Sequence, residues 1–193
     1  MFIEPHLSKA GIPKEPGMGW IEVICGSMFS GKTEELIRRL NRAIIAKQKV
    51  EIFKPVIDTR YHKANVVSHD EKAIRSTPVN FAHDIILLAG ACEVVGIDEA
   101  QFFDDQIVDV CTKLANVGKR VIVAGLDMDF SGKPFGPMPN LMSVAEYITK
   151  VHAICMVCGN VASYSFRLNP LFDQVMLGQK ETYEARCRRC FIN

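Results

Sequence analysis

The segment from Gly26 to Thr33 has a composition and spacing suited to binding phosphate groups. It matches the pattern Gly-x4-Gly-Lys-[Ser/Thr] at every specified position. Glycines allow backbone N–H groups to converge on phosphate oxygens, and a following helix adds its positive dipole end. We expect Lys32 to reach the β- and γ-phosphates of a nucleotide, and the hydroxyl of Thr33 to bind Mg²⁺. The predicted phosphate loop comprises Gly26, Ser27, Met28, Phe29, Ser30, Gly31, Lys32 and Thr33.

A second candidate site is a pair of carboxylates, Asp98 and Glu99, which follows a buried apolar run. In phosphate-loop proteins such a strand lies beside the strand that precedes the loop, and Asp98 is then placed to support Mg²⁺. If the strand geometry persists, Glu99 points the other way and can take the proton from the group that attacks the γ-phosphate. The alternative is that these acids cap the helix that follows. With the phosphate loop, the pair predicts nucleotide-driven phosphoryl transfer or hydrolysis and leaves the acceptor open.

Four of the seven cysteines form two Cys-x-x-Cys pairs, 28 residues apart, near the end of the chain. Two such pairs complete a tetrahedral Zn²⁺ site, and because all four ligands come from protein the zinc is expected to be structural. Disulfides or an iron–sulfur cluster are the alternatives. His152 is close in sequence but is not needed as a ligand. The predicted ligands are Cys155, Cys158, Cys187 and Cys190.

Three arginines, Arg186, Arg188 and Arg189, surround the second cysteine pair. They suit either a nucleic-acid contact or a solvated face, and the net charge of +1 favours the solvated face. Met28 and Phe29 are unusual in an exposed loop, and they either line an apolar pocket or pack into the core.

Apolar periodicity places the site residues on alternating strands and helices. Strands are predicted at 20–25, 50–54, 93–98 and 120–126, and helices at 33–47, 81–89 and 104–116. Residues 56–78 are polar and weakly patterned, with room for a loop and one short strand near Val66. This alternation predicts an α/β fold with a mostly parallel sheet covered by helices on both faces.

Composition excludes several classes of protein. An apolar fraction of 48% and a charged fraction of 23% exclude a disordered polymer, and the apolar runs are too short to cross a bilayer. The N-terminus lacks the apolar core of a signal peptide, so a cytoplasmic location is expected. We predict three parts: a flexible N-terminal lead-in at 1–19, a nucleotide-binding domain at 20–150 and a metal-binding domain at 151–193.

Further segments bring the chain close to one family. They are Asp58-Thr-Arg-Tyr61, Asp98-Glu-Ala-Gln-Phe102, Gly125-Leu-Asp127 and Lys133-Pro-Phe-Gly136, followed by the cysteine pairs. With the phosphate loop, they resemble the type II (cellular-type) thymidine kinases in order and spacing over about residues 20–191. Many families share the loop alone, whereas its joint occurrence with Asp-Glu-Ala-Gln-Phe and two cysteine pairs is far more selective.

The resemblance implies a phosphate-loop core like that of RecA, a zinc-held "lasso" loop over the nucleoside and a homotetramer. It implies transfer of the ATP γ-phosphate to the 5′-hydroxyl of thymidine, with Glu99 as the general base. ATP with Mg²⁺ and thymidine are the expected partners, and thymidine triphosphate the expected feedback inhibitor. No membrane partner and no direct nucleic-acid partner are expected.

The resemblance also implies residues for each part of the site. The ATP site comprises the phosphate loop with Asp98, Glu99, Ala100 and Gln101. Nucleoside positions are Met28, Leu126, Phe130, Ser165 and Tyr183, with the lasso backbone at Val175, Met176, Leu177 and Gly178. Asp58 and Arg60 match a loop near the phosphates.

Two departures from the family pattern and two rival functions are noted. Ser27 replaces a common proline, and Ser165 replaces a common threonine but keeps the hydroxyl. The chain ends three residues after Cys190, so the long tail of animal members is not expected.

The first rival function is a zinc-containing, nucleic-acid-stimulated ATPase in which Glu99 activates water. The second is a nucleotide-binding regulator without rapid catalysis.

Overall fold

A central sheet of six parallel strands positions the candidate site. A computed structural model describes residues 19–57, 76–168 and 182–193, with the backbone of two short strands at 65–67 and 73–75. The sheet strands are β1 Trp20–Cys25, β2 Val50–Pro55, β5 Thr77–Val79, β6 Val94–Ile97, β7 Arg120–Gly125 and β8 Tyr147–Lys150. Their order is β5-β2-β6-β7-β1-β8, and every neighbouring pair is parallel. The short strands β3 Asn65–Val67 and β4 Ala73–Arg75 pair antiparallel with each other.

Helices cover both faces of the sheet, because strand side chains alternate between them. The helices of this core are α1 Lys32–Ile45, α2 Asp84–Leu88, α3 Gln106–Asn116 and α4 Met138–Val144. On β1, Ile24 packs with Leu36 of α1 on one face, whereas Val23 and Cys25 belong to the core on the side of α2, α3 and α4. The predicted α/β class is confirmed. No described helix has the length and apolar character needed to span a membrane.

The predicted elements at 20–25, 33–47, 50–54, 93–98, 104–116 and 120–126 are present with shifted ends, and the short strand near Val66 is β3. The helix predicted at 81–89 contracts to α2, with Leu87 and Leu88 exposed. The strands β4, β5 and β8 and the helix α4 were not predicted. Strand β8 lies at the sheet edge, and its residues alternate between half-buried and exposed instead of forming an apolar run.

The residues after β8 form a small unit, which we call the cysteine module. Its elements are β9 Ala153–Ile154, β10 Val161–Ala162, β11 Tyr164–Arg167, β12 Tyr183–Arg186 and α5 Arg188–Ile192. Strands β9 and β10 form one antiparallel pair, and β11 and β12 another. The backbone N–H of Val151 donates to the carbonyl of Cys25 at 2.8 Å, so the module begins beside the end of β1. A domain boundary at residue 150 stays a prediction.

A buried ion network ties α1 to the sheet. Glu22 of β1 and Arg39 of α1 are both fully buried, and their side chains lie 2.8 Å apart. Glu22 also accepts a hydrogen bond from Arg120 Nε at 2.6 Å, and Arg39 Nε donates to Glu35 at 2.8 Å. Each charge therefore has a partner, as buried charges require.

Candidate functional site

The phosphate loop forms a tight turn between β1 and α1. Gly31 has φ of 86°, a left-handed conformation that favours glycine, and Phe29 adopts φ of 62°. The side chains of Ser30 and Lys32 both donate to the carbonyl oxygen of Ser27, each at 2.7 Å. The predicted loop is therefore present in the context that its motif requires, with the Lys32 ammonium held against the loop.

Gly26 is required by packing as well as by the loop. A Cβ atom at this position would lie 2.2 Å from the carbonyl oxygen of Val151, and φ is 148°. Phe29 packs against the apolar cluster of the cysteine module, which includes Ala153 and Ala185. Of the two interpretations of Phe29, packing against a core is therefore correct, although the core is that of the module.

The strand β6 carries Asp98 to the same edge of the sheet. The expectation that β6 lies beside β1 was wrong, because β7 separates them. Asp98 nevertheless lies 3.4 Å from the hydroxyl of Thr33, measured between Thr33 Oγ1 and Asp98 Oδ2. The first turn of α1 brings the hydroxyl toward this edge, so the two predicted magnesium ligands are near each other without adjacent strands.

Glu99 departs from strand geometry. Its φ of 53° and ψ of 41° are left-handed, and its backbone N–H donates to Asp98 Oδ1 at 3.0 Å. The alternation that would have turned Glu99 away from Asp98 therefore ends at this residue. The capping alternative is not supported, because α3 begins at Gln106 and its N–H is accepted by Asp104 at 3.1 Å.

The side chain of Gln101, assigned to the ATP site by resemblance, lies between two parts of the site. Its Nε2 donates to Glu99 Oε2 at 2.5 Å, and its Oε1 accepts from the backbone N–H of Leu126 at 2.9 Å. The side chain is buried, and so is Leu126 at the end of β7. Gln101 thus connects the proposed base to a residue of the predicted nucleoside pocket.

The phosphate loop and the cysteine module are joined directly. The backbone N–H of Met28 donates to Ser165 Oγ at 3.0 Å, and Ser165 is buried on β11. Two residues assigned to the nucleoside pocket by resemblance are therefore in contact, one from the loop and one from the module.

Phe130 and Tyr183 are brought together by Arg167, which sequence reasoning missed. The Arg167 guanidinium lies 3.8 Å from the centre of the Phe130 ring, and its Nε and Nη2 donate to the Tyr183 hydroxyl at 3.1 and 2.7 Å. Arg167 is buried although it occupies a short strand with no distinguishing motif. Only the pairing of β11 with β12 and the return of the loop after β7 reveal its role.

Asp127 and Lys150 form a second feature that the sequence analysis missed. Their side chains lie 2.6 Å apart, and Asp127 is buried. The Asp127 carboxylate also affects the nearby Cys25 thiol. Burial of the thiol is the larger effect and the Asp127 charge the next, and together they raise the pKa of Cys25 to about 11. Cys25 is therefore a neutral thiol beneath the phosphate loop and not a nucleophile.

The four predicted metal ligands lie together in the cysteine module. The Sγ atoms of Cys155, Cys158, Cys187 and Cys190 all lie within 4.8 Å of one another. A tetrahedral zinc–thiolate site requires sulfur–sulfur separations of about 3.8 Å. Cys158 Sγ and Cys187 Sγ are 3.6 Å apart, which is longer than a disulfide and close to this separation. The donor set and its spacing fit zinc.

Hydrogen bonding prepares part of this cluster for metal. Burial by itself raises the pKa of the Cys155 thiol, but backbone N–H groups of the two cysteine pairs outweigh it and lower the pKa to about 6. In contrast, hydrogen bonds with the neighbouring thiols raise the pKa of Cys190 to about 12, and the largest effect comes from the hydrogen bond with Cys158. A negative charge is thus shared within the cluster, which a divalent cation stabilises.

Two of the arginines near the second cysteine pair are engaged with aromatic rings. The Arg186 guanidinium lies 3.4 Å from the centre of the Phe166 ring, and Arg186 Nε donates to Glu184 at 2.6 Å. Arg188 lies 5.2 Å from the centre of the Tyr164 ring. These contacts give both arginines a structural role in the module, and the choice between a nucleic-acid contact and a solvated face stays a prediction.

Some predicted positions lie outside the described residues. They are the lead-in residues 1–18, Asp58 and Arg60, and the lasso backbone at Val175, Met176, Leu177 and Gly178.

Comparisons with known proteins show the family to which the chain belongs. A family model described as thymidine kinase matches residues 19–191. A thymidine kinase of Rhodothermus sp. (strain ITI 518) is 63% identical over 99% of this chain and 88% of its own length. A thymidine kinase of Bacteroides thetaiotaomicron is 60% identical over 100% of this chain and 94% of its own. Among solved structures, the flagellar accessory protein FlaH from Methanocaldococcus jannaschii covers 76% of both chains, with 12% identity and a TM-score of 0.48. The chain belongs to the thymidine kinase family.

Proposed function

We propose that this protein transfers the γ-phosphate of ATP to the 5′-hydroxyl of thymidine, which produces thymidine monophosphate and ADP. The observation that carries the proposal is the contact between the phosphate loop and the cysteine module at Met28 and Ser165. It joins the predicted phosphate loop to the module that carries Tyr183, and Arg167 stacks between Tyr183 and Phe130, the two aromatic residues assigned to the nucleoside pocket by resemblance. Membership of the family supports thymidine as the acceptor, since the relatives are named for it.

Glu99 is proposed as the general base. Its carboxylate takes the proton of the 5′-hydroxyl as the hydroxyl oxygen forms a bond to the γ-phosphorus. The bond from the γ-phosphorus to the bridging oxygen breaks, and ADP leaves with the electron pair. Lys32 stabilises the negative charge that develops on the phosphoryl oxygens. The position of Glu99 beside Asp98, at the edge where the phosphate loop lies, supports this role.

Two metals are part of the proposal. Thr33 and Asp98 would hold Mg²⁺, which neutralises charge on the β- and γ-phosphates when it accompanies ATP. The four clustered cysteines would hold a structural Zn²⁺. Because all four sulfurs come from the chain, a bound zinc would have no open position for substrate and would stabilise the fold of the module.

The rival function, a nucleic-acid-stimulated ATPase, draws its support from the arginines of the second cysteine pair. The contacts of Arg186 and Arg188 with aromatic rings weaken that support. The ATPase also needs a bound water where the kinase needs a nucleoside hydroxyl, so the two functions differ in their products.

Product analysis tests the proposal. Zinc-loaded protein is incubated with Mg·ATP and labelled thymidine, beside deoxycytidine and a control without nucleoside. Selective formation of thymidine monophosphate with little background hydrolysis is expected. ATP hydrolysis without a nucleotide product, stimulated by DNA, would instead establish the ATPase. Tight nucleotide binding without either product would indicate a regulator.

Assembly and regulation follow from family membership as further proposals. We expect a cytoplasmic homotetramer that thymidine triphosphate inhibits as the end product of the salvage route. Light scattering with and without thymidine triphosphate measures the oligomeric state, and the same samples give the inhibition of phosphorylation. A monomer with full activity would contradict the proposed assembly.

A further inference from the structure

We infer that Gln101 is a positioning residue for the phosphoryl transfer: its buried amide holds the Glu99 carboxylate in place and links it to the wall of the nucleoside pocket. This inference rests on the proposed role of Glu99 as the base. It differs from the assignment of Gln101 to the ATP site, because the side chain is engaged on both sides by the protein.

The orientation of the amide follows from its partners. The backbone N–H of Leu126 can only donate, so the atom that faces it at 2.9 Å must be the amide oxygen. The amide nitrogen therefore faces Glu99 Oε2 and can only donate to it. A donor fixed in this way holds one oxygen of the Glu99 carboxylate in a defined position, as a general base requires.

Burial makes this arrangement rigid. The Gln101 side chain is 3% exposed, so water does not compete freely for either hydrogen bond. The amide is also anchored to the end of β7, because its oxygen accepts a hydrogen bond from the backbone N–H of Leu126. A backbone partner is less mobile than a side chain would be. The Glu99 carboxylate is thereby linked through Gln101 to the backbone of the sheet.

Two glycines provide the space that Gln101 occupies. A Cβ atom at Gly125 would lie 2.9 Å from Gln101 Oε1, and one at Gly136 would lie 2.4 Å from the Gln101 carbonyl oxygen. Gly136 also has φ of 50°, which disfavours larger residues. Both contacts come from the segments before and after the loop that carries Phe130. The polypeptide is therefore packed around Gln101 from two directions.

The experiment changes both hydrogen bonds of the amide. Gln101→Met removes both, whereas Gln101→Glu keeps an acceptor for Leu126 N–H and replaces the neutral donor to Glu99 by a second carboxyl group, which either repels the Glu99 carboxylate or shares a proton with it. Gln106→Met, the same change at an exposed glutamine on α3, is the matched control. Thermal unfolding and ATP binding are measured for each variant to establish that it is folded.

The expected result is a fall in kcat of about 10- to 100-fold in both Gln101 variants, because small displacements of a catalytic group have effects of this size. The KM for ATP should stay within about twofold of the wild-type value, since uniform binding is unaffected. In a Glu99→Gln background, Gln101→Met should cause little further loss, because Gln101 acts through Glu99.

Other outcomes would overturn the inference. Normal kcat in Gln101→Met would show that neither hydrogen bond of the amide matters for turnover, and a raised KM for ATP with normal kcat would return Gln101 to the nucleotide site. A full further loss in the Glu99→Gln background would mean an independent role. If Glu99→Gln itself kept normal turnover, the proposed base would be wrong and the inference would fail with it. Failure of the inference alone leaves the Glu99→Gln loss intact.

Discussion

The backbone N–H of Met28 donates to the hydroxyl of Ser165 across 137 residues of sequence. Met28 belongs to the phosphate loop and Ser165 to the cysteine module, so one hydrogen bond joins the loop that follows β1 to the part of the chain that follows the sheet. Ser165 is buried, so the hydrogen bond is partly shielded from water and its loss leaves the Met28 N–H without this partner.

Removal of that hydroxyl should weaken thymidine binding selectively. Ser165→Ala leaves the Met28 N–H without its partner, at a cost of about 1 to 2 kcal/mol, and we expect the KM for thymidine to rise roughly tenfold. The KM for ATP should change much less. Ser165→Thr keeps the hydroxyl and serves as the control, so an equal effect of both substitutions would show that the bond is not responsible.

Arg167 should prove as important for thymidine as the aromatic residues that it joins. Arg167→Lys keeps the charge but loses the planar group that stacks on Phe130 and donates twice to the Tyr183 hydroxyl. We expect the KM for thymidine to rise about tenfold, with little loss of thermal stability.

Arg188→Lys is the matched control, because Arg188 is exposed and 5.2 Å from the centre of its aromatic partner. Steady-state kinetics with thymidine as the varied substrate measures both changes. Equal effects on the two KM values for thymidine would contradict the positioning role of Arg167.

Metal retention by the cysteine cluster should depend on pH. The pKa of Cys155 is about 6, so this thiol is ionised above that pH and begins to take up a proton, in competition with metal, as the pH falls through it. The logarithm of zinc affinity should therefore fall more steeply with decreasing pH below about pH 6 than above it. Competition with a chromophoric chelator measures the affinity.

Cysteine substitutions provide the control for that titration. Cys190→Ser should lose zinc, whereas Cys92→Ser, at a cysteine outside the cluster, should retain it. Equal zinc content in the two variants would show that the cluster is not the metal site.

The buried ion network should contribute strongly to stability. Arg39→Met leaves the fully buried Glu22 with less compensation, and we expect the free energy of unfolding to fall by about 3 kcal/mol. Arg38→Met, one residue earlier, breaks an exposed pair with Glu35 and should cost less than about 1 kcal/mol. Urea denaturation compares the two variants, and similar losses would mean that burial does not determine the effect.

Local signals in the sequence predicted the parts of the site that are contiguous. The phosphate loop, Asp98 and Glu99 after an apolar strand, and the two cysteine pairs are short motifs whose chemistry requires residues at fixed spacing. The alternation of apolar runs likewise predicted the parallel sheet, because buried strands have a distinctive composition.

Features that depend on pairing between distant segments could not be predicted from local sequence patterns. The ion pair of Asp127 with Lys150 requires the edge strand β8, which has no apolar run. In the sequence, Arg167 has no feature that distinguishes it from a surface arginine. Its burial depends on the pairing of β11 with β12 and on the Phe130 ring that lies against it. The insertion of β7 between β6 and β1 is likewise a property of the whole topology.

The place of β1 in the sheet has a consequence for synthesis of the chain. Its two neighbours are β7, which begins at Arg120, and β8, which begins at Tyr147. Translation proceeds from the N-terminus, so β1 leaves the ribosome about 100 residues before either partner strand is available. During that interval the apolar strand has both edges unpaired, and its pairing must close long loops. The nascent chain therefore carries an aggregation-prone segment that chaperones are suited to bind, and the nucleotide site can assemble only after most of the polypeptide has emerged.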